Sequence, residues 1–420
     1  VSTSTPSVVI VGAGIVGLAS AAYLQRDGRN VLLLDPGGPG EGATSGNAGC
    51  LNASSVVPVS MPGTIKQVPG WLMDPLGPLA IRWSYLPSLA PWLWRFWRAG
   101  TPEGVQAQAR ALRPLLVDSI ANYRPLAKEA GVEHLIHRIG HLFVYSTEAG
   151  FHKDEAAMKL RADNGSDVTV LSREELRELE PDLGPQFTAA RIIRENGHCS
   201  NPLGLAQGLA RLIESRGGKV LRERVTGFET NGGEVVAVTT EQGRHASSHV
   251  VLAAGAWSKP LARQLGDNVP LDTERGYHIV IKDAESGPRI PTMWAEGKTV
   301  ATPMEAGLRF AGTVEFAGID APPNWERAYM QLRAGQQMYP ALAREYREER
   351  LTKWLGFRPS MPDSLPVLGP ATRYRNAIHA FGHGHVGLAA GSTTGRVVAD
   401  LIAARTPLIP IEAFSAKRFA

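Results

Sequence analysis

Near its carboxyl end the chain reads FGHGHVGLAAGSTTGRVVADLI, Phe381 to Ile402, with His383 and His385 set among Gly382, Gly384 and Gly387. Two imidazoles this close can hold a metal. Such a site needs a third ligand at suitable spacing; His198 and Cys199 are candidates, but no Asp or Glu repeats the pattern. Glycines ahead of a helix allow another chemistry. Backbone N–H groups and a helix N-terminus can face an electron-rich ring, with the imidazoles tuning it and Val386 and Leu388 alongside. A purely structural turn is the third reading. The helix is expected to begin near Ser392.

Arg358 precedes Pro359 in WLGFRPSMPDSLPVLGP. Its planar fork matches both oxygens of a carboxylate, although an arginine of this kind can also be a surface or ion-paired residue. In LDTERGYHIVI, Arg275, Tyr277 and His278 crowd one expected strand. Alternation sends Tyr277 and His278 to opposite faces, so only one can face a reaction centre. Tyr277 is favoured as the hydrogen-bond partner of a substrate; an ordinary buried tyrosine is the alternative.

These groups need a frame, and the amino-terminal stretch SVVIVGAGIVGLASAAYLQRDGRNVLLLD supplies one. It reads as strand, glycine turn, helix, strand. Gly12 permits the tight turn, Gly14 lets backbone approach a pyrophosphate, and Gly17 lets the helix lie close on the strand. Ile15 and Val16 open the helix, whose N-terminus favours phosphate. Asp35, followed by Pro36, closes the second strand about twenty residues on, where a carboxylate suits an unphosphorylated ribose. A dinucleotide is expected, but this fingerprint does not separate FAD from NAD. The next run, EGATSGNAGCLNASS, offers Ala43, Thr44, Ser45, Asn47, Ala48 and Gly49 to a long ligand, or else is a flexible surface loop. Further on, strands are expected at Val235 to Thr240 and His249 to Leu252. The latter ends in Ala253, Ala254 and Gly255, with Trp257 just beyond, small residues that let a terminal loop touch a cofactor.

Composition removes other classes. The net charge is +4 and no run of five basic residues occurs, so a nucleic-acid partner is not expected. Cys50 and Cys199 are the only cysteines, which rules out a disulfide scaffold and fits a reducing compartment. The opening apolar run lacks a basic n-region, and no apolar span of about twenty residues is present. The expectation is a cytoplasmic protein with no transmembrane helix.

The pieces VVIVGAGIVGLASAAYL, ATSGNAG, VVLAAGAWS, FRPSMPDSLPVLG and FGHGHVGLAAGSTTGR follow the order seen in D-amino-acid dehydrogenases. The chain thereby resembles the flavoprotein group containing D-amino-acid oxidase, glycine oxidase and sarcosine oxidase. The resemblance implies FAD on a glutathione-reductase-like Rossmann domain. Gly12, Gly14 and Gly17 would then meet the pyrophosphate and Asp35 the ribose. Ala43 to Gly49 would run past the phosphates, Val225 would pair its backbone with adenine, and Ala254 and Gly255 would border the cofactor. The Gly382 to Leu388 segment would lie at the flavin's pyrimidine edge, and Arg358 would bind the substrate carboxylate. No Cys occurs from Gly356 to Met361, where the comparison with sarcosine oxidase would put a covalent flavin link, so non-covalent FAD is implied. The implied activity is oxidative deamination of D-amino acids, including cyclic imino acids such as D-proline or D-hydroxyproline. Hydride would pass from Cα to flavin N5, and electrons to a quinone or other non-oxygen acceptor. An oxidase of glycine or sarcosine type, or an FAD-binding subunit of a hetero-oligomeric amine dehydrogenase, is the alternative.

The fold expected is α/β, a discontinuous Rossmann-type domain plus an α+β substrate domain with an antiparallel sheet. The FAD domain is assigned to 1–60, 198–268 and 351–420, the substrate domain to 61–197 and 269–350. Strand-like HLFVYS and YHIVI, a hairpin over Ala301 to Gly318 and helical RPLLVDSIANYRPLAKEAG fall in the insertions. Trp71 to Gly100 holds five of the nine tryptophans. Pro75, Pro78, Pro87 and Pro91 argue against one long helix there. Trp92 to Arg98 fits either an interfacial helix on a membrane or a helix with its aromatics turned inward. Oligomeric state is left open.

Overall fold

A computed structural model describes residues 7–420; the first six residues of the expected 1–60 segment lie outside it. Val8–Val11 is apolar throughout and fully buried, as a central parallel strand must be. It sits in a six-stranded sheet between Val31–Asp35 and His249–Leu252. Lys219–Arg222 extends one side in parallel, and Ala377–Phe381 the other. Val367–Pro370 closes that edge antiparallel.

Two helices lie side by side on this sheet. The amino-terminal helix Ile15–Arg26 and the closing helix Gly387–Ile402 touch so closely that a Cβ on Gly395 would lie 2.6 Å from the Ala19 backbone. The closing helix therefore starts five residues before the expected Ser392. Ser392 is no cap: its hydroxyl donates to the Ser119 carbonyl at 2.9 Å, and Thr393 accepts from Asn122 at 3.1 Å. These polar residues join helices inside the core rather than opening one.

The second sheet has ten strands, mostly antiparallel. At its centre Asp272–Ile281 pairs with Leu351–Ser360 over ten residues, from Asp272 opposite Ser360 to Ile281 opposite Leu351. Thr299–Met304 and Gly307–Ala311 form the expected hairpin. His141–Tyr145 lies further out in the same sheet. Helix Glu326–Met338 covers one face, packing Ala328 and Leu332 against Tyr277, Ile279 and Ile281. The opposite face turns toward the parallel sheet.

Two expected boundaries shift. Residues 351–360 belong to the second sheet, because their ten-residue pairing outweighs any contact with the nucleotide-type sheet. Helices Pro102–Leu116 and Ser119–Glu129 lie within 61–197 yet bury Leu112, Leu115, Tyr123 and Leu126 in the same core as the two glycine-led helices. They cover an apolar face that would otherwise meet water. The expected helical run 113–131 is broken at Val117 and Asp118.

In the tryptophan-rich stretch, helix Leu86–Ala99 carries Pro87 in its first turn, where no bond is lost, and continues through Pro91. Leu89, Trp92, Leu93 and Phe96 face inward, while Trp94 and Trp97 are 58% and 49% exposed.

Candidate active site

A cavity of about 1120 Å³ runs between the two sheets, from the first glycine turn to the closing helix and on to the face of Asp272–Ile281. Its nucleotide end is built mainly from backbone. Gly12 has φ +108°, and a Cβ there would lie 2.4 Å from the Ala253 carbonyl oxygen. Gly17 would drive a Cβ to 2.0 Å from the Gly12 oxygen, so it serves the turn and does not line the cavity. Gly14, at the helix N-cap, faces open space, its nearest neighbour Thr44 Oγ1 at 3.7 Å from an added Cβ. Asp35 lines the wall, accepting from Ala13 N at 2.7 Å and Gly37 N at 2.8 Å. Each carboxylate oxygen keeps a lone pair for a ligand hydroxyl. Pro36, Val225, Ala254, Gly255 and Trp257 line the same end. Trp257 stands at the rim, edge-on to Phe357.

The loop from Ala43 to Gly49 follows the cavity, but its polar side chains mostly serve the loop. Thr44 Oγ1 accepts from Ile15 N at 3.1 Å and Asn47 Oδ1 from Gly49 N at 2.8 Å. Ser45 donates to the Gly42 carbonyl at 3.0 Å and, like Gly49, does not line the cavity. Ala43, Thr44, Asn47 and Ala48 do. The expected Ser45–ligand bond is thus replaced by a turn within the loop.

The loop is fastened to the second sheet. His278 Nδ1 donates to the Gly46 carbonyl at 2.9 Å, and Arg309 donates to the Asn47 carbonyl. Trp354 stacks on His278 with ring centroids 5.1 Å apart. An added Cβ on Gly46 or Gly356 would fall 2.1 or 1.8 Å from the Trp354 ring, so both glycines make room for it. Burial, then Arg309, pushes the His278 pKa down to about 3. His278 does not line the cavity; it positions the loop.

Tyr277 does line the cavity, but its hydroxyl is committed. It donates to Glu315 at 2.7 Å and accepts from Arg275 at 3.3 Å and Asn324 N at 3.0 Å. The strand alternates as expected, yet the helix Glu326–Met338 covers the Tyr277 side. The free substrate-facing hydroxyl expected there is not what the structure presents.

The far end is built from side chains. Arg358 lines the cavity and donates to the Thr313 carbonyl at 3.1 Å. Its guanidinium lies over Gly276, where a Cβ would fall 2.4 Å from Nη2. Burial lowers its pKa, with Glu274 opposing. Glu274, opposite Arg358 in the strand register, also lines the cavity and accepts from the Ser360 hydroxyl at 2.6 Å. Sequence reasoning missed Glu274; its only sequence signal was a place two and four residues before Gly276 and His278 on the same strand face. Arg161 is a second cavity cation without an ion pair among the described residues, 5.0 Å over the Phe143 ring.

The closing loop joins both ends. Gly384, His385, Val386, Gly387 and Leu388 line the cavity, and Gly382 lines a recess beside it. No side chain caps the closing helix, so its first-turn N–H groups are left for a ligand. His383 pairs with Thr394 at 3.0 Å. Burial holds the His383 pKa at about 4, and the His385 pKa falls to about 4 through burial, Arg358 and Arg161. The surface that His385 exposes belongs to the cavity wall. Both rings are neutral near pH 7 and can donate only one hydrogen bond each. Among the described residues no group of three His, Cys, Asp or Glu is placed to hold a metal.

Two helix N-termini, a ribose-type carboxylate and backbone left open at Gly14, Gly255 and Gly384 form a cradle that an added Cβ would narrow, and it suits a long diphosphate ligand with an electron-rich ring. Comparison with known proteins agrees. The family model described as DAO, FAD dependent oxidoreductase, matches residues 7–401. A D-amino-acid oxidase of Bradyrhizobium diazoefficiens is 45% identical over 98% of each chain. A D-amino acid dehydrogenase of Paramagnetospirillum magneticum is 30% identical, again over 98% of each. In fold, the chain is similar to an L-proline dehydrogenase from P. horikoshii, with TM-score 0.75, 18% identity and coverage of 99% and 98%.

Proposed function

The chain belongs to the DAO family of FAD-dependent oxidoreductases, and from that premise we propose that it oxidises D-amino acids to imines, which water hydrolyses to 2-oxo acids. Cyclic imino acids such as D-proline or D-hydroxyproline fall within the proposed range. The electrons pass to a quinone or another acceptor that is not oxygen. The observation that carries the reading is Arg358, a half-buried guanidinium with no ion pair among the described residues, which lines the cavity with the loop of the closing helix. Such a cation is complemented by a bidentate carboxylate from the ligand.

Gly12, Gly14 and the first turn at Ile15 and Val16 would hold the diphosphate, Asp35 the ribose, and Val225, Ala254 and Gly255 the adenosine end. The Gly384 to Leu388 backbone would meet the ring. FAD, when bound, supplies the hydride acceptor. The chain's own part is orientation: Arg358 fixes the carboxylate, so the Cα–H bond is held at one angle. The closing helix places its partial positive charge where negative charge must be tolerated, and the apolar walls at Phe143, Met293 and Val300 exclude water.

A second reading, with oxygen as acceptor, is favoured by the name of the 45% identical relative. Anaerobic mixing of FAD-loaded protein with a panel of D- and L-amino acids, D-proline analogues and sarcosine tests the substrate. Bleaching by D-isomers is expected. Recovery fast with a quinone and slow in air supports the first reading; fast recovery in air supports the second.

A cytoplasmic location with peripheral membrane contact completes the proposal. No helix among the described residues is long and apolar enough to cross a membrane. The outer face of Leu86–Ala99 presents Trp94 and Trp97, ring centroids 4.9 Å apart, beside exposed Arg95 and Arg98. That mixture suits an anionic lipid surface. Co-flotation with anionic vesicles, lost on replacing both tryptophans by Ser, is the expected result; equal flotation of the two proteins removes the contact.

A further inference from the structure

We propose that Glu274 is the catalytic base: its carboxylate binds the substrate's α-ammonium and takes a proton from it, beside Arg358 holding the carboxylate. The proposal rests on the reading of the substrate as an α-amino acid. Glu274 and Arg358 are direct partners across two strands, so their side chains leave the same face of the sheet. Both line the cavity, yet they form no ion pair. Arg358 is drawn over Gly276 to the Thr313 carbonyl, while Glu274 Oε1 is held by Ser360 at 2.6 Å. The second Glu274 oxygen has no hydrogen bond from the described residues. A residue only 3% exposed thus keeps one oxygen without a protein partner beside a cation that is also incompletely satisfied.

An amino acid zwitterion carries its two opposite charges on groups attached to one carbon. A receptor for it needs a cation and an anion that face one space without neutralising each other, which is the arrangement seen. Burial raises the Glu274 pKa, opposed by Ser360 and Arg358, and so brings the carboxyl closer to the proton affinity that a base for an ammonium requires. The step balances. One ammonium N–H bond breaks and its proton goes to Glu274. The nitrogen lone pair so freed would form the C=N bond as the Cα–H bond breaks, and FAD, when bound, would supply the acceptor for the hydrogen that leaves with both electrons. Glu274, now a neutral acid, returns its proton to water after the iminium departs.

Other charged groups face Glu274. Arg358 is on the adjoining strand, and Asp272, which accepts from the Tyr85 hydroxyl, is two residues along its own strand. His383 and His385 share the recess and are neutral near pH 7, their pKa values held at about 4. Glu274 is thus the acid placed to titrate against a ligand.

The test uses FAD-loaded protein and two ligands, propionate and D-alanine. Propionate has no ammonium, so ionised Glu274 repels it. Its affinity in the unaltered protein, read by calorimetry, is expected to strengthen as pH falls. Glu274→Gln should abolish that dependence and tighten propionate by about 10-fold at pH 8. The same variant should slow anaerobic bleaching by D-alanine by about 10²-fold, the usual scale for losing a general base, and Glu274→Asp should restore part of it. Ser360→Ala removes a bond to the carboxylate and should move the propionate dependence to higher pH, which keeps the proposal testable if Glu274→Gln does not fold. Propionate binding that ignores pH, or equal bleaching of the unaltered protein and Glu274→Gln, overturns the base and leaves the amino-acid reading standing. If D-alanine and every other amine fail to bleach the unaltered protein, the amino-acid reading falls, and the propionate dependence still decides whether Glu274 faces the ligand.

Discussion

At its nucleotide end the cavity is walled by backbone: Gly12, Gly14, Ala254, Gly255 and the first turn of Ile15–Arg26. At its substrate end the wall is made of side chains on separate strands, with Arg358 and Glu274 set across from one another. The first end offers shape and partial charge, and at Gly12 the turn has no room for an added carbon. The second offers full charges whose spacing is set by strand pairing. Each piece of the backbone end is encoded within its own short stretch, whereas the side-chain pair depends on where distant stretches meet. The closing helix belongs to both, packed on the first helix at Gly395 and lining the cavity along with Arg358.

The sharpest way to break the contrast is Gly12→Ala. The turn has φ +108° and a Cβ would sit 2.4 Å from the Ala253 oxygen, so the strand ends must part. Complete loss of FAD on gel filtration is expected; a yellow variant would show that the backbone end tolerates a side chain. Arg358→Ala should do the reverse, keeping FAD while raising KM for D-amino acids by about 10²-fold, the scale for losing one partner of a hydrogen-bonded charge pair. Arg358→Lys should rescue little, since an ammonium lacks the bidentate fork. Loss of FAD from the Arg358 variant would merge the two ends into one.

The smallest expected effect concerns acid. His141 and His278 are held at about 3, and His198 and His383 at about 4, in each case chiefly by burial. Unfolded histidines take protons near pH 6.5. Between that value and the folded ones the unfolded chain holds more protons, so stability is lost as pH falls through the window. Tm measured from pH 7 to 4.5 should decline, and His383→Gln should flatten the slope. A Tm constant over this range would mean the rings are not buried neutral.

The same contrast explains what could be read from the chain. The Gly12-Gly14-Gly17 turn, its strands and Asp35 are local, and each shows in spacing. The FAD family was legible because five such local pieces occur in order. Arg358 was legible as a residue type suited to carboxylates, but Glu274 was not, since nothing near it in sequence says that Leu351–Ser360 pairs with Asp272–Ile281. Alternation separated Tyr277 from His278 without saying which face the helix Glu326–Met338 would cover. The closing helix was expected to begin near Ser392; in the fold that hydroxyl is spent on Ser119 in the core. Trp354 gave no signal, because its slot is made by Gly46 and Gly356 from different segments.

The central claim is that one cavity carries FAD at its backbone end and a D-amino acid carboxylate on Arg358 at its side-chain end. Anaerobic stopped-flow absorbance of the FAD-loaded protein against paired D- and L-amino acids tests it most directly. The expected result is rapid loss of the oxidised flavin band with D-isomers, and in Arg358→Ala the same band at rest with bleaching only at far higher concentration. A purified chain that does not retain FAD, or a loaded one that no amino acid bleaches, would contradict it.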